Sequence, residues 1–243
     1  MGRNIETINF NNISEDDIIR FNAEIRKYNQ EHEGSNSLDN VTGDIRYQLM
    51  QISSYLLQRA ERLQKGITSD LYDILGSDGY FVELDHCIKR KDRLEEKIYK
   101  RAKEKNQDLM VAGNKIGDVL RYTIIFDDEN YVTKVDNYLE ELEDLDYQVI
   151  RFKNRWAEPY YKGINVQIKG PNDIIFEIQF HTKENHDIKE VFSRDPYKIT
   201  RSDDSPIDLR VKAYYLRSYY QNKVHVPQFA IDYQYNSKKS KSL

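Results

Sequence analysis

Two apolar runs, IGDVLRYTIIF at residues 116–126 and IIFEIQF at residues 174–180, decide how this chain folds. Aliphatic, β-branched and aromatic residues dominate both runs, so each predicts a buried strand. One carboxylate interrupts each run, Asp118 in the first and Glu177 in the second. A buried acid is costly unless something pairs with it. If the two strands lie side by side, these acids predict a site that holds Mg²⁺ against nucleotide phosphates.

The rest of the sequence predicts an α/β (α+β) fold, with a mixed β-sheet of about five strands flanked by helices. Three further strand-like runs lie at residues 80–85, 147–152 and 164–168. KGPND at residues 169–173 predicts a hairpin turn between the strand at 164–168 and the strand at 174–180. Helical patterns occupy residues 88–105 and 128–142, and a last helix begins after Pro206.

The N-terminal residues predict two amphipathic helices that pair as a helical hairpin. Ser14 and Asp17 form an approximate capping box before the first helix, and Gly66 is expected to end the second. The predicted domains are an N-terminal helical extension at 1–66, a main domain at 67–222 and a C-terminal tail at 223–243. The tail's end, NSKKSKSL, predicts disorder. The hairpin either stabilises the domain, or it binds a partner or controls the active site. The amphipathic pattern favours the first role.

Composition narrows the class of protein. A chain of 243 residues with 39% hydrophobic content can bury one full core beside an appendage. The net charge of -4 argues against a basic surface over the whole chain for nucleic acid. A single cysteine, Cys87, excludes an intramolecular disulfide and a cysteine-based zinc site, and it favours a reducing compartment.

No run approaches the roughly 20 apolar residues that cross a bilayer, so we expect no membrane partner. The expected location is the cytoplasm, or a target cell reached by a route without classical signals. The sequence has no Walker loop and no dinucleotide glycine pattern. Phosphate must therefore be bound by side chains and metal.

A basic segment precedes the first acid-bearing strand. Lys89, Arg93 and Lys97 recur at helical spacing, so they share one helix face that can bind polyphosphate. Acidic residues are interspersed in the same segment. On charge pattern alone, a solvated helix with many salt bridges is the better interpretation.

Several segments in order resemble the synthetase domain of the RelA/SpoT family, which transfers pyrophosphate from ATP to a nucleotide. They are the basic segment at 89–97, the strand after Asp118, PYYKGINVQ at 159–167 and EIQFHT at 177–182. The resemblance covers the chain from Tyr80 to Glu190. It is strongest to small, stand-alone, divergent members associated with phage proteins and toxins. It implies a nucleotidyltransferase-like fold and an ATP-dependent nucleotide pyrophosphokinase.

The resemblance also implies a role for each residue. Asp118 and Glu177 are the catalytic and Mg²⁺-binding residues. The implied ATP-binding residues are Lys89, Arg93, Lys97 and Arg121, and the implied acceptor-binding residues are Lys153, Tyr161, Asn165, Gln179 and His181. The implied partners are ATP and a purine nucleotide acceptor, either GDP/GTP or an adenine nucleotide, whose ribose 3′-hydroxyl receives the pyrophosphate. Such an alarmone-synthetase-like enzyme can act as a toxin.

This chain departs from the family pattern at four positions. Cys87 and His181 stand where arginine is usual, Arg93 where a small hydroxyl residue is usual, and Asn165 where histidine is frequent. Two alternatives therefore stay open: pyrophosphate transfer to the 3′ end of tRNA, or a catalytically silent domain that binds nucleotide or a partner. Tyr161 is either a stacking platform or a core tyrosine before a strand. Assembly into a homo-oligomer is a further open alternative.

Overall fold

The computed structural model describes residues 13–33, 38–39, 41–202 and 204–237, and it has the α+β architecture that the sequence predicts. It contains one five-stranded sheet, and along the chain helices come before, between and after the strands. Within the described residues, no helix is both long and apolar enough to cross a bilayer.

The five strands form one mixed sheet. They are β1 (Gly79–Val82), β2 (Arg121–Phe126), β3 (Gln148–Asn154), β4 (Ile164–Lys169) and β5 (Ile175–His181). Their order is β1-β2-β5-β4-β3, in which β2 and β5 are parallel and the other neighbours are antiparallel. The predicted mixed sheet and the predicted hairpin between β4 and β5 are confirmed. The two runs that carry an acid are thus neighbours in space.

The helices differ from the prediction mainly in α2. The helices are α1 (Glu15–Glu31), α2 (Gly43–Leu75), α3 (Lys91–Lys105), α4 (Leu109–Asn114), α5 (Tyr131–Asp144), α6 (Lys183–Ile188), α7 (Arg194–Arg201) and α8 (Ile207–Gln221). The prediction that Gly66 ends a helix is wrong, because α2 continues through it. Ile67, Leu71 and Leu75 extend its buried stripe. This burial outweighs the roughly 1 kcal/mol that an interior glycine costs.

One face of the sheet is filled with apolar side chains, and we call it the apolar face. Phe126 of β2 stacks on Phe180 of β5, with ring centroids 5.8 Å apart. Tyr138 of α5 contacts both rings edge-on, and its hydroxyl donates to the Leu71 carbonyl of α2. All three rings are buried. Large buried aromatic rings dominate the energetics of such cores, so this face stabilises the sheet.

The chain divides into two compact units. One contains the described parts of Met1–Gly34 with Glu158–Tyr161 and Glu184–His225, and the other contains the sheet, in Ser35–Ala157, Lys162–Lys183 and Val226–Leu243. In the first unit, α1 packs against α7 and α8, around a cluster that includes Ile25, Ile199 and Leu216. In the second, α2 packs against α3, α4 and α5. The two helices predicted to pair thus find apolar partners in different units, and the predicted boundary after residue 66 falls inside α2.

The structure also describes the capping box before α1 and most of the predicted C-terminal tail. The capping box is present, since the Asp17 amide donates to Ser14 Oγ and the Ser14 amide donates to Asp17 Oδ2. Near the other end, Asn154 Nδ2 donates to the Tyr233 carbonyl, and the Tyr233 hydroxyl donates to Asp136. Residues 226–237 therefore pack within the sheet unit. Residues 238–243, most of the stretch predicted to be disordered, lie outside the described residues.

Candidate active site

The face of the sheet opposite the apolar face carries polar side chains, and we call it the polar face. Residues that pair across neighbouring strands project to the same side of a sheet. Taken from β2, β5, β4 and β3 in turn, one row is Arg121, Glu177, Gln167 and Arg151, and the next row is Thr123, Gln179, Asn165 and Lys153. Most of these side chains are half-buried. The polar face thus brings five of the sequence-predicted residues onto two adjacent rows.

Glu177 belongs to the first row. Its neighbours Phe176 and Ile178 are completely buried on the apolar face, whereas the Glu177 side chain is half-buried. Gln179, two residues further along β5, donates from Nε2 to Glu177 Oε1 at 2.7 Å. The alternation of a strand explains how an acid stands inside an apolar run: it belongs to the other face.

Asp118 lies three residues before β2 rather than within it. Lys97 Nζ, from α3, lies 2.7 Å from each Asp118 carboxylate oxygen, and Lys89 Nζ lies 3.1 Å from Oδ2. Only 13% of the Asp118 side chain is exposed. Burial raises the pKa of Asp118, but the two ammonium groups lower it by more, so the pKa lies below its ordinary value. The carboxylate is therefore charged at neutral pH.

Backbone pairing positions the basic and acidic residues near the start of β2. On one side, the Lys89 amide donates to the Val119 carbonyl at 2.8 Å, so the segment before α3 runs beside the segment that carries Asp118. On the other side, the Glu177 amide donates to the Leu120 carbonyl at 3.0 Å. Three neighbouring backbone segments thus present Lys89, Asp118 and Glu177.

A glycine allows the Asp118 segment to pass close to the polar face. A β-carbon on Gly117 would lie 2.5 Å from Gln167 Nε2. Gln167 is the partner of Glu177 on β4, so this approach ties the segment to the row of Glu177. Gln167 was not among the predicted site residues. The alternation of Asn165, Gln167 and Lys169 along β4 is the sequence signal that points to it.

The other predicted ATP-binding residues differ in their placement. Arg121 is the register partner of Glu177. Burial lowers the pKa of Lys89; Asp118 opposes this shift, and the Arg121 charge adds to it. Arg93 instead pairs on its own helix with Glu96, at 2.9 Å, and its side chain is 52% exposed. The interpretation of the basic segment as a solvated, salt-bridged helix therefore fits Arg93, whereas Lys89 and Lys97 lie against Asp118.

The predicted acceptor residues fall into three groups. Lys153, Asn165 and Gln179 share the second row of the polar face. Asn165 Oδ1 is buried, and the described part of the chain offers it no hydrogen-bond partner. Tyr161 is half-buried and belongs to the unit that contains α1. His181, by contrast, is completely buried at the end of β5.

His181 packs against a glycine that has a positive φ. Gly163 has a φ of +131°, and a β-carbon there would lie 2.8 Å from His181 Nδ1. Only glycine fits this position without strain. No part of His181 is exposed, and its ring packs against the turn before β4.

The donor set fits Mg²⁺. This ion prefers oxygen ligands, and proteins commonly bind it through one or two carboxylates while phosphates and waters complete its coordination. Asp118 and Glu177 supply two carboxylates from neighbouring backbone segments. Lys89 and Lys97 supply positive charge that attracts phosphates.

No protein-family model matches this chain, and no curated protein matches it. Among solved structures, the chain is similar to the type VI effector Tas1 in complex with its immunity protein, at 18% identity and a TM-score of 0.47, over 70% of this chain and 96% of that chain. It is also similar to small alarmone synthetase 2 from Bacillus subtilis, at 16% identity and a TM-score of 0.42, over 74% and 95% of the two chains.

A third similar structure is a GTP pyrophosphokinase family protein from Streptococcus pneumoniae, at 11% identity and a TM-score of 0.41, over 69% and 85% of the two chains. Proteins of the family that the motifs around Asp118 and Glu177 resemble are thus among the structures similar to this chain.

Proposed function

We propose that this protein is a Mg²⁺-dependent pyrophosphokinase that transfers pyrophosphate from ATP to the ribose 3′-hydroxyl of a purine nucleotide. The observation that carries the proposal is the placement of Asp118 and Glu177 on neighbouring backbone segments, with the ammonium groups of Lys89 and Lys97 against Asp118. Transfer of a phosphoryl-type group depends on positioning and on charge stabilisation more than on covalent help from the protein. Paired carboxylates beside lysines supply both.

The proposed reaction makes one bond and breaks one bond. The acceptor's 3′-oxygen bonds to the β-phosphorus of ATP, and the bond between that phosphorus and the oxygen bridging to the α-phosphate breaks. AMP leaves, and the β- and γ-phosphates remain on the acceptor. The hydroxyl proton passes to Glu177 or to solvent. Glu177 is half-buried, so it can exchange that proton with water.

Each residue of the site has a separate task in this scheme. Asp118 and Glu177 would hold the metal, which when bound neutralises the charge that develops on the transferred group. Lys89 and Lys97 would bind phosphate oxygens through ammonium groups that each offer three donors. Arg121, the register partner of Glu177, adds a third positive charge.

The second row of the polar face supports an acceptor site. Asn165 Oδ1 is buried without a hydrogen-bond partner in the part of the chain described, and buried polar atoms of this kind usually have a partner. A ribose hydroxyl or an exocyclic amine of a base is a donor that would satisfy it. Stacking of the acceptor base on Tyr161 stays a prediction from the sequence.

The proposal is tested by the fate of a label. Purified protein is incubated with Mg²⁺ and ATP labelled at the β-phosphate, together with GDP, GTP, ADP, AMP or deacylated tRNA in separate reactions. We expect labelled product with a purine nucleotide, and its loss in Asp118→Asn. Label on tRNA alone would replace this proposal with pyrophosphate transfer to RNA. No labelled product from any acceptor would favour a silent binding domain.

A further inference from the structure

Asp118 is bound by lysine on both of its carboxylate oxygens. Lys97 Nζ lies 2.7 Å from Oδ1 and 2.7 Å from Oδ2, so one ammonium group spans the carboxylate. Lys89 Nζ adds a second positive charge at 3.1 Å from Oδ2. We call this arrangement the Lys97–Asp118 pair. Both carboxylate oxygens thus have ammonium partners from the protein itself.

This pair competes with a metal ion for the same oxygens. Mg²⁺ binds a carboxylate oxygen at about 2.0–2.1 Å, so an ammonium group that spans both oxygens occupies the position that the ion needs. The net charge of the site also disfavours binding of a metal ion on its own. Three cations, Lys89, Lys97 and Arg121, stand near two carboxylates and leave one positive charge in excess. A lone divalent cation would increase that excess.

A nucleoside triphosphate reverses this balance. It brings roughly four negative charges, so the site, the ion and the nucleotide together have a small net negative charge. Lysine binds phosphate as a point charge, and its four-carbon side chain can turn toward one. The polyphosphate therefore removes the repulsion and also offers the lysine a new partner.

The two lysines differ in their freedom to move. Lys97 has a side chain that is 37% exposed on the surface of α3, compared with 17% for Lys89. Lys97 is thus the lysine that can leave Asp118 by rotating its side chain alone.

We propose that Lys97 gates the metal site: it occupies Asp118 in the nucleotide-free protein and moves to the polyphosphate of an incoming nucleoside triphosphate. The metal ion then binds together with the nucleotide and not before it. This inference rests on the proposed function for the identity of the metal site, and it adds the order in which the site is filled.

The test measures metal binding directly, with Mn²⁺ as a paramagnetic probe for Mg²⁺. Free Mn²⁺ is counted by electron paramagnetic resonance as full-length protein is titrated without nucleotide. We expect Lys97→Met to bind Mn²⁺ about tenfold or more tightly than wild type. Lys97→Gln should behave in the same way. The matched control is Lys103→Met, which removes a cation of the same helix whose ammonium group lies over Tyr99 and should leave the affinity at the wild-type value.

A second arm repeats the titration with a non-hydrolysable ATP analogue. Wild type should then hold Mn²⁺ and analogue in one complex, seen as enhanced water-proton relaxation, and Asp118→Asn should not. If nucleotide-free wild type binds Mn²⁺ as tightly as Lys97→Met does, Lys97 does not gate the metal site. The assignment of the metal site itself is not affected by that result. If Asp118→Asn forms the same complex as wild type, the metal site is wrong, and the proposed function fails with it.

Discussion

The apolar and polar faces of the sheet take their side chains alternately from the same strands. On β5, Phe176, Ile178 and Phe180 are completely buried on one side, and Glu177 and Gln179 are hydrogen-bonded to each other on the other side. Neighbouring positions in one strand thus have different physical roles. Substitutions one to three residues apart should therefore separate an effect on stability from an effect on turnover.

The largest effect is expected on the apolar face. Phe180→Ala removes a ring that stacks on Phe126 and contacts Tyr138, and it leaves a cavity. Such truncations cost about 3–5 kcal/mol of unfolding free energy. The midpoint of thermal unfolding should fall by about 6–20 °C, as measured by circular dichroism. A midpoint within 2 °C of wild type would remove the distinction between the two faces.

Three residues away, Glu177→Gln should have the opposite pattern. The substitution keeps the shape of the side chain and removes a charge from the polar face, so unfolding should change by less than about 1 kcal/mol. Turnover should fall by about 10²–10³-fold, the size of loss that follows removal of one preorganised charge-stabilising group. The measurement is the initial rate of AMP release with a purine acceptor. Turnover close to wild type would refute the role of Glu177.

A smaller effect is expected at the turn before β4. Gly163→Ala places a β-carbon 2.8 Å from the buried His181 ring, at a φ of +131° that alanine rarely adopts. Strain of this kind costs of order 1–3 kcal/mol. Urea unfolding measures the loss. Because Asn165 follows two residues later, the KM for the acceptor should also rise, and an unchanged KM would separate this turn from the acceptor site.

The smallest effect is expected at Gly66 in α2, which is the control for Gly163. Gly66 lies inside the helix, and a β-carbon there would have no atom within 4 Å. Gly66→Ala should therefore raise the unfolding free energy by about 0.5–1 kcal/mol, since alanine loses less backbone entropy than glycine does. Turnover should stay at the wild-type rate. A loss of stability would show that the helix is strained at this point.

Much of the sheet follows from the sequence. The apolar runs at 116–126 and 174–180 predict two strands, and the turn at 169–173 predicts an antiparallel neighbour for the second of them. The helices that escaped prediction, α4, α6 and α7, are each eight residues or shorter. Helices of that length owe their stability to tertiary packing, so they leave no long periodic stripe in the sequence.

The candidate site is less predictable than the sheet. Asp118 and Glu177 stand out because an acid interrupts each apolar run. Gln167 does not stand out, because its place beside Glu177 depends on strand register and on the close approach of Gly117. The separation of Lys97 from Arg93 depends on which way α3 faces: one lies against Asp118 and the other against Glu96. Charge spacing along a helix does not determine that orientation.

In the proposed reaction, the β- and γ-phosphates leave ATP together, and labels at the two positions follow each of them. Parallel reactions with a purine acceptor use ATP labelled at the β-phosphate or at the γ-phosphate, and the products are separated by anion exchange. Both labels should move to the acceptor in equal amounts, AMP should form in the same amount, and Glu177→Gln should lower the rate of all three signals by about 10²–10³-fold. Transfer of the γ label alone with release of ADP would contradict pyrophosphate transfer, and equal transfer by Glu177→Gln would contradict the role of Glu177.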